Sequence, residues 1–135
     1  MSPSINSILL VDDDQDYKYF FYKAIEKVDP SINVTTAADG IEAFSKLESA
    51  IPDLIILDFN MPRMNGLAFL KDIKKNQALK HIPVIIYSTF LSMFDSNEFK
   101  VLGAVHVYTK PVGFSETIDT VNEILKRTGD IRKCA

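Results

Sequence analysis

The sequence has little of what disulfide-stabilised, membrane-spanning or nucleic-acid-binding proteins need. Its one cysteine, Cys134, excludes a disulfide framework and a cysteine-based metal site. No apolar run approaches the ~18 residues of a membrane helix, and no basic region precedes an apolar one at the N-terminus. The 15 basic and 18 acidic residues are mixed along the chain without a basic run. We therefore expect a cytoplasmic protein with no membrane partner and no direct nucleic-acid partner.

The chain also lacks the length for two domains. Its 135 residues, 47% of them hydrophobic, suit one compact domain with a sizeable core. Pro- and Gly-rich linkers, internal repeats and low-complexity segments are absent. We predict one domain over residues 5–127 and a C-terminal tail over residues 128–135.

Short apolar runs rich in β-branched residues alternate with longer segments of helical periodicity. The predicted strands are Ser7–Val11, Asn33–Ala37, Leu54–Leu57, Val84–Tyr87 and Val105–Tyr108. The first, third and fourth are continuously apolar, which is typical of strands buried on both faces. The alternation predicts an α/β fold, a three-layer doubly wound parallel sheet of five strands in the order 2-1-3-4-5.

Four of the predicted helices carry an apolar stripe at helical spacing. The first stripe consists of Tyr17, Phe20, Phe21, Ala24, Ile25 and Val28. The others consist of Ile41, Phe44 and Leu47, of Leu67, Leu70 and Ile73, and of Phe114, Ile118, Val121 and Leu125. The fourth helix, expected over Ser92–Leu102, has scattered apolar residues, so some of them should be exposed or contact a partner.

Acidic residues follow two strands that are neighbours in the predicted order. Asp12, Asp13 and Asp14 come after the first strand, and Asp58 comes after the third. Ligands of such folds bind beyond the carboxyl ends of the strands, where the order reverses. Carboxylates this close repel each other unless a cation compensates, and oxygen ligands suit Mg²⁺. The alternative is that the three successive aspartates only cap the first helix.

A hydroxyl and an ammonium reach the same edge of the sheet. Ser88 follows the fourth strand, and Lys110 follows the fifth. A carboxylate nucleophile, a metal, a lysine and a hydroxyl are together the parts of a phosphoryl-transfer site. Either residue alone would be ordinary, so it is the set that indicates the chemistry.

Four segments make the sequence similar to the receiver domains of two-component response regulators. They are Ile8–Asp14, Leu57–Gly66, Ile82–Thr89 and Tyr108–Pro111. The resemblance covers roughly residues 5–127. It implies the flavodoxin-like receiver fold and a stand-alone, chemotaxis-regulator-like protein of a two-component phosphorelay.

The resemblance also implies a role for each site residue. Asp58 would accept a phosphoryl group from a sensor-kinase phosphohistidine, Ser88 would bind a phosphoryl oxygen and move on activation, and Lys110 would pair with the phosphate. The Mg²⁺ ligands would be Asp12, Asp13, Asp58 and the backbone carbonyl of Asn60. The chain would catalyse only its own phosphotransfer and a slow autodephosphorylation. A cis peptide bond before Pro111 is also expected.

The sequence departs from the family pattern at a switch position. Many receivers have Tyr or Phe three residues before the lysine, where this chain has Val107. Because side chains alternate along a strand, Tyr108 should face the opposite side of the sheet. We expect Ser88 and Val107 to be the switch positions, with coupling that is weaker or runs through the neighbouring backbone and the fourth helix.

Since no output segment follows the receiver-like stretch, we expect protein–protein contact through the face of the fourth helix, fifth strand and fifth helix. Partners would be a sensor histidine kinase or phosphotransfer protein, a downstream target, or a second copy in a homodimer. One alternative is a pseudo-receiver that acts only as a binding module. Two others are an aspartate-nucleophile phosphatase, which needs an aspartate where Asn60 stands, and a flavin binder, which the acidic run disfavours.

Overall fold

All neighbouring strands of the sheet are parallel, and their order is β2-β1-β3-β4-β5. The computed structural model describes residues 5–58, 66–88 and 96–134, and the side chains of all of these except 96–98 and 130–134. In chain order the elements are β1 (Ser7–Val11), α1 (Gln15–Val28), β2 (Asn33–Ala37), α2 (Gly40–Ser49), β3 (Leu54–Leu57), α3 (Gly66–Lys75), β4 (Val84–Ser88), α4 (Ser96–Val101), β5 (His106–Thr109) and α5 (Phe114–Cys134). The predicted doubly wound α/β fold is confirmed.

Alternate residues of the three central strands enter two separate cores. The core on the side of α2, α3 and α4 takes the strand residues Leu9, Val11, Ile55, Leu57, Val84 and Ile86. The core on the side of α1 and α5 takes Ile8, Leu10, Leu54, Ile56, Ile85 and Tyr87. Because both faces of the sheet are covered, these strands need apolar residues at successive positions, which explains their continuous apolar runs.

The aspartate run ends in the N-cap of α1. The Asp14 carboxylate accepts hydrogen bonds from the backbone N–H groups of Asp16 and Tyr17, at 2.9 and 3.2 Å. These bonds satisfy two of the helix's first donors. The capping alternative is therefore right for Asp14, whereas Asp12 and Asp13 precede the cap.

Some residues of the predicted stripes lie outside both cores. Phe20 is 42% exposed, Ile41 55% and Phe114 39%, whereas Phe21 is fully buried. Positions i, i+3 and i+4 together span a wide arc of a helix, and a flat sheet covers only part of that arc. The Phe21 ring packs edge-on against Tyr87 of β4, with ring centroids 5.5 Å apart.

The expected C-terminal tail is helical instead, because α5 continues to Cys134. Thr128, the first residue of that tail, is fully buried. Its hydroxyl donates a 2.7 Å hydrogen bond to the Ile124 carbonyl. A threonine whose hydroxyl donates to the carbonyl four residues earlier can be buried within a helix. The polar composition of residues 128–135 therefore did not indicate that the helix continues through them.

The structure differs from the predictions at two strands, at the end of the fourth helix and at one peptide bond. β5 begins and ends one residue later than predicted, and β4 includes Ser88. The described part of the fourth helix is Ser96–Val101, and residues 92–95 lie outside the described ranges. The bond between Lys110 and Pro111 is trans, since the described residues contain no cis peptide bond; trans is the favoured isomer even before proline. Within the same ranges, no helix combines the length and the apolarity needed to cross a membrane.

The two adjacent phenylalanines of α1 should differ sharply in their effect on stability. We expect Phe21→Ala to lower the free energy of unfolding by about 3–5 kcal/mol, because it leaves a cavity against Tyr87. Phe20→Ala should cost about 1 kcal/mol or less, because its side chain is already partly in water. Urea unfolding followed by circular dichroism measures both values. Equal costs would contradict the assignment of the buried face.

Candidate functional site

The carboxyl ends of four strands supply the polar residues of the site. Asp12 and Asp58 directly follow β1 and β3, Ser88 ends β4, and Lys110 directly follows β5. Backbone hydrogen bonds continue the sheet to these positions: Asp12 N–H to the Ala37 carbonyl at 2.9 Å, Asp58 N–H to Val11 at 2.9 Å, and Lys110 N–H to Ser88 at 3.0 Å. Hydrogen bonds of the sheet, rather than a loop, therefore fix the backbone positions of these residues.

Three carboxylates converge at this edge, as the sequence predicted. Oxygens of Asp12, Asp13 and Asp58 all lie within 4.8 Å of one another. Asp12 is 1% exposed and Asp58 5%, whereas Asp13 faces solvent. Oxygen donors at this spacing, open on one side, match the requirements of a hard divalent cation. The fourth predicted ligand, Asn60, lies outside the described residues.

A buried ammonium lies between two of the carboxylates. Lys110 Nζ is 2.6 Å from Asp12 Oδ2 and 3.5 Å from Asp58 Oδ2, and Lys110 is only 6% exposed. One ammonium offsets one of the three carboxylate charges. A divalent cation would therefore complete the charge balance of the site.

The pKa of Asp12 reflects how completely its carboxyl is buried. Burial raises the pKa of the Asp12 carboxyl from 3.8 to about 6, and the charge of Asp58 acts in the same direction. Hydrogen bonds from Lys110 and from the Asp14 N–H oppose the rise without cancelling it. Desolvation outweighs a 2.6 Å ion pair here because the carboxylate is almost completely removed from water.

Ser88 contributes a hydroxyl that has no hydrogen-bond partner among the described residues. The side chain is fully buried. An unpaired buried hydroxyl costs about 1–3 kcal/mol, so such groups in native proteins call for an explanation. A hydroxyl that donates to the oxygen of an incoming anion would provide one.

Val107 and Tyr108 face opposite sides of the sheet, as predicted. Val107 packs against the core beside α2, α3 and α4, and Tyr108 packs against the core beside α1 and α5. The guanidinium of Arg127 lies 5.9 Å from the centroid of the Tyr108 ring. The aromatic ring has therefore changed sides as well as position. The switch role of Val107 stays a prediction.

Sequence reasoning missed one residue that contacts the site. Tyr17 was assigned only to the apolar stripe of α1, yet Lys110 Nζ lies 4.4 Å from the centroid of its ring. The signal that could have indicated this contact was the position of Tyr17, one helical turn after the aspartates. Among the described His, Cys, Asp and Glu side chains, the only group of three or more that could hold a metal ion is the trio of Asp12, Asp13 and Asp58. The two histidines of the sequence, His81 and His106, do not belong to it.

This arrangement can be compared with known proteins. A family model for the response regulator receiver domain matches residues 8–122. The chain belongs to this receiver family.

Its relatives include short and long proteins. Protein PilG of Pseudomonas aeruginosa is 30% identical over 114 residues, which are 84% of this chain and 83% of PilG. The structure of the phosphorylated cyanobacterial phytochrome response regulator RcpA matches with a TM-score of 0.81 and 30% identity, over 90% of this chain and 91% of RcpA. Protein-glutamate methylesterase/protein-glutamine glutaminase 3 of Rhodopseudomonas palustris is 38% identical over 125 residues, but this chain spans only 31% of that protein.

Removing the buried ammonium from this receiver domain should destabilise it in a pH-dependent way. We expect Lys110→Met to cost about 3–5 kcal/mol near pH 7, because Asp12 and Asp58 are left as buried like charges. The pKa of Asp12 is raised in the folded state, so the fold gains a proton as the pH falls through about 6. The cost should therefore be smaller at about pH 5.

Urea unfolding of the wild type and of Lys110→Met at both pH values tests this. Lys71→Met, which removes an exposed lysine of α3, is the control and should change the free energy of unfolding by about 0.5 kcal/mol or less. A cost that does not depend on pH would show that carboxylate charge is not the cause.

Proposed function

We propose that this receiver domain accepts a phosphoryl group on Asp58 from a phosphohistidine of a sensor kinase or of a phosphotransfer protein. The observation that carries the proposal is the buried Lys110 ammonium, which contacts Asp58 at 3.5 Å within a trio of carboxylates. The hydroxyl of Ser88, buried at the end of the neighbouring strand, adds a donor for a phosphoryl oxygen. A pseudo-receiver that only binds partners would have no use for this set.

The contacts of Asp12 favour Asp58 as the nucleophile. Both oxygens of Asp12 accept short hydrogen bonds, Oδ1 from the Asp14 N–H at 2.9 Å and Oδ2 from Lys110 at 2.6 Å. Asp12 is thus held in a fixed orientation with both carboxylate oxygens engaged. The longer contact of Lys110 with Asp58 leaves the ammonium able to exchange that carboxylate oxygen for a phosphoryl oxygen.

Asp12, Asp13 and Asp58 would hold Mg²⁺, with the backbone carbonyl of Asn60 as a further predicted ligand. When bound, this ion neutralises charge on the phosphoryl oxygens. The chain's own residues position the reactants. An Asp58 oxygen attacks phosphorus and forms a new P–O bond, while the P–N bond to the donor imidazole breaks and its electron pair stays on nitrogen. Lys110 and Ser88 then donate hydrogen bonds to the transferred group.

Phosphorylation would shift the domain between two states, because Ser88 and Lys110 gain an anionic partner in only one of them. We expect the change to be delivered by protein–protein contact at the face of α4, β5 and α5, where Val101 is 86% exposed. Five further points stay predictions. They are a homodimer through that face, slow autodephosphorylation, a stand-alone chain, the domain limits at residues 5 and 127, and a cytoplasmic location.

Acetyl phosphate and Mg²⁺ should phosphorylate the purified chain. Intact-mass spectrometry should show an adduct of about 80 Da on the wild type and none on Asp58→Asn, because the substitution removes only the nucleophilic oxygen. Chelating Mg²⁺ with EDTA should abolish the adduct. An adduct that persists on Asp58→Asn would place the phosphoryl group elsewhere, and a wild type without an adduct would favour the pseudo-receiver.

Two neighbouring aspartates should differ in their effect on Mg²⁺ binding. Asp13→Asn should weaken Mg²⁺ at least about ten-fold, because one carboxylate charge beside the ion is lost. Asp14→Asn is the matched control, because asparagine caps a helix as well as aspartate does and Asp14 lies outside the trio. Isothermal titration calorimetry measures both affinities. Equal losses would mean that general negative charge, and not the trio, attracts the ion.

A further inference from the structure

Among the described residues, three side chains contact the ammonium of Lys110. Two are the carboxylates of Asp12 and Asp58, at 2.6 and 3.5 Å. The third is the half-buried ring of Tyr17, whose centroid lies 4.4 Å from Nζ. Lys110 is 6% exposed, so the ring lies against an ammonium that is almost completely removed from water.

A ring face is a particular kind of neighbour for an ammonium. Its quadrupole attracts the positive charge, and the attraction grows as water is removed. It offers no lone pair, however, so it does not take a hydrogen bond that a phosphoryl oxygen would need. The ring can thus hold Nζ in place without competing for the donor.

We propose that Tyr17 is a positioning residue for Lys110: the Tyr17 ring keeps the ammonium dry and beside Asp12 and Asp58 for phosphoryl transfer. The inference rests on the proposed function of Asp58. Tyr17 acts through Lys110, which is the group that meets the phosphoryl oxygens.

The position of Tyr17 is itself fixed on both sides. Its backbone N–H donates to the Asp14 carboxylate at 3.2 Å, which ties it to the aspartate run. One turn later, Phe21 anchors the same face of α1 against Tyr87 of β4. The ring therefore comes from the first turn of a capped helix that packs against the sheet, and this placement brings it to the end of the Lys110 side chain.

The same helix provides a matched control. Lys23 Nζ lies 5.8 Å from the centroid of the Tyr19 ring, but Tyr19 is 57% exposed and the lysine side chain 41%. This second pair has the same chemistry in water and lies outside the site. Its loss should leave phosphorylation unchanged.

The test compares rates of phosphorylation by acetyl phosphate with Mg²⁺, because a small donor needs no docking surface. Tyr17→Leu should be slower than the wild type by about five-fold, the size expected for a cation–π contact of intermediate exposure. Tyr17→Phe keeps the ring face and should stay within about two-fold, as should Tyr19→Leu. A Tyr17→Leu rate equal to that of the wild type overturns the proposal.

A spectroscopic measurement separates positioning from a general structural effect. In proton–carbon NMR spectra, the ε-methylene signal of Lys110, assigned with Lys110→Met, should be shifted upfield by the Tyr17 ring current. The shift should survive in Tyr17→Phe and Tyr19→Leu and disappear in Tyr17→Leu. If the wild-type signal shows no shift, the proposal fails even where Tyr17→Leu is slow or poorly folded.

Different results would overturn the phosphorylation of Asp58 and the positioning role of Tyr17. A wild type that acquires no phosphoryl group overturns the proposed function and this inference with it. A wild type that is phosphorylated at Asp58, with Tyr17→Leu equally fast, overturns only the role of Tyr17.

Discussion

One buried ammonium holds the polar site together. Asp12 and Asp58 are 1% and 5% exposed, and two like charges so far from water would be strongly unfavourable without Lys110 between them. One ammonium does not balance three carboxylates, and burial raises the pKa of Asp12 to about 6 even with Lys110 beside it. Among the described residues, the site thus combines an excess of carboxylate charge with a buried Ser88 hydroxyl that has no hydrogen-bond partner, which is why we propose that it takes a cation together with an anionic group.

The parallel sheet makes this concentration of charge possible. Because every crossover connects parallel strands, the carboxyl ends of all five strands lie on one side of the sheet. The residues that directly follow the strands therefore lie near one another on that side. Two apolar cores, one on each face, hold the strands in register. The favourable burial of those cores offsets the cost of polar groups gathered at the edge. Stability and function are thus assigned to different parts of the same strands.

This division explains what the sequence could predict. Continuous apolar runs locate buried strands, and strand ends then locate Asp12, Asp58, Ser88 and Lys110 without any knowledge of their contacts. The exposure of Phe20 and the buried helical turn at Thr128 depend on which neighbour covers a helix face, and one-dimensional periodicity does not contain that information. The Tyr17 ring was missed for the same reason, since its partner lies 93 residues away, on the far side of three crossovers.

The contacts on the two faces of β5 limit how the site can be coupled to the surface. On the side of α2, α3 and α4, Val107 has neither a ring nor a hydroxyl, so a movement of Ser88 can act there only through aliphatic packing. On the side of α1, Lys110 Nζ lies 4.4 Å from the centroid of the Tyr17 ring, so any displacement of the ammonium alters a contact with this helix. A packed core resists small displacements, whereas the Tyr17 ring is half-buried and lies directly against the charged group. The ion pair and the ring contact of Lys110 therefore join the site to a neighbouring helix by a route that does not pass through Val107.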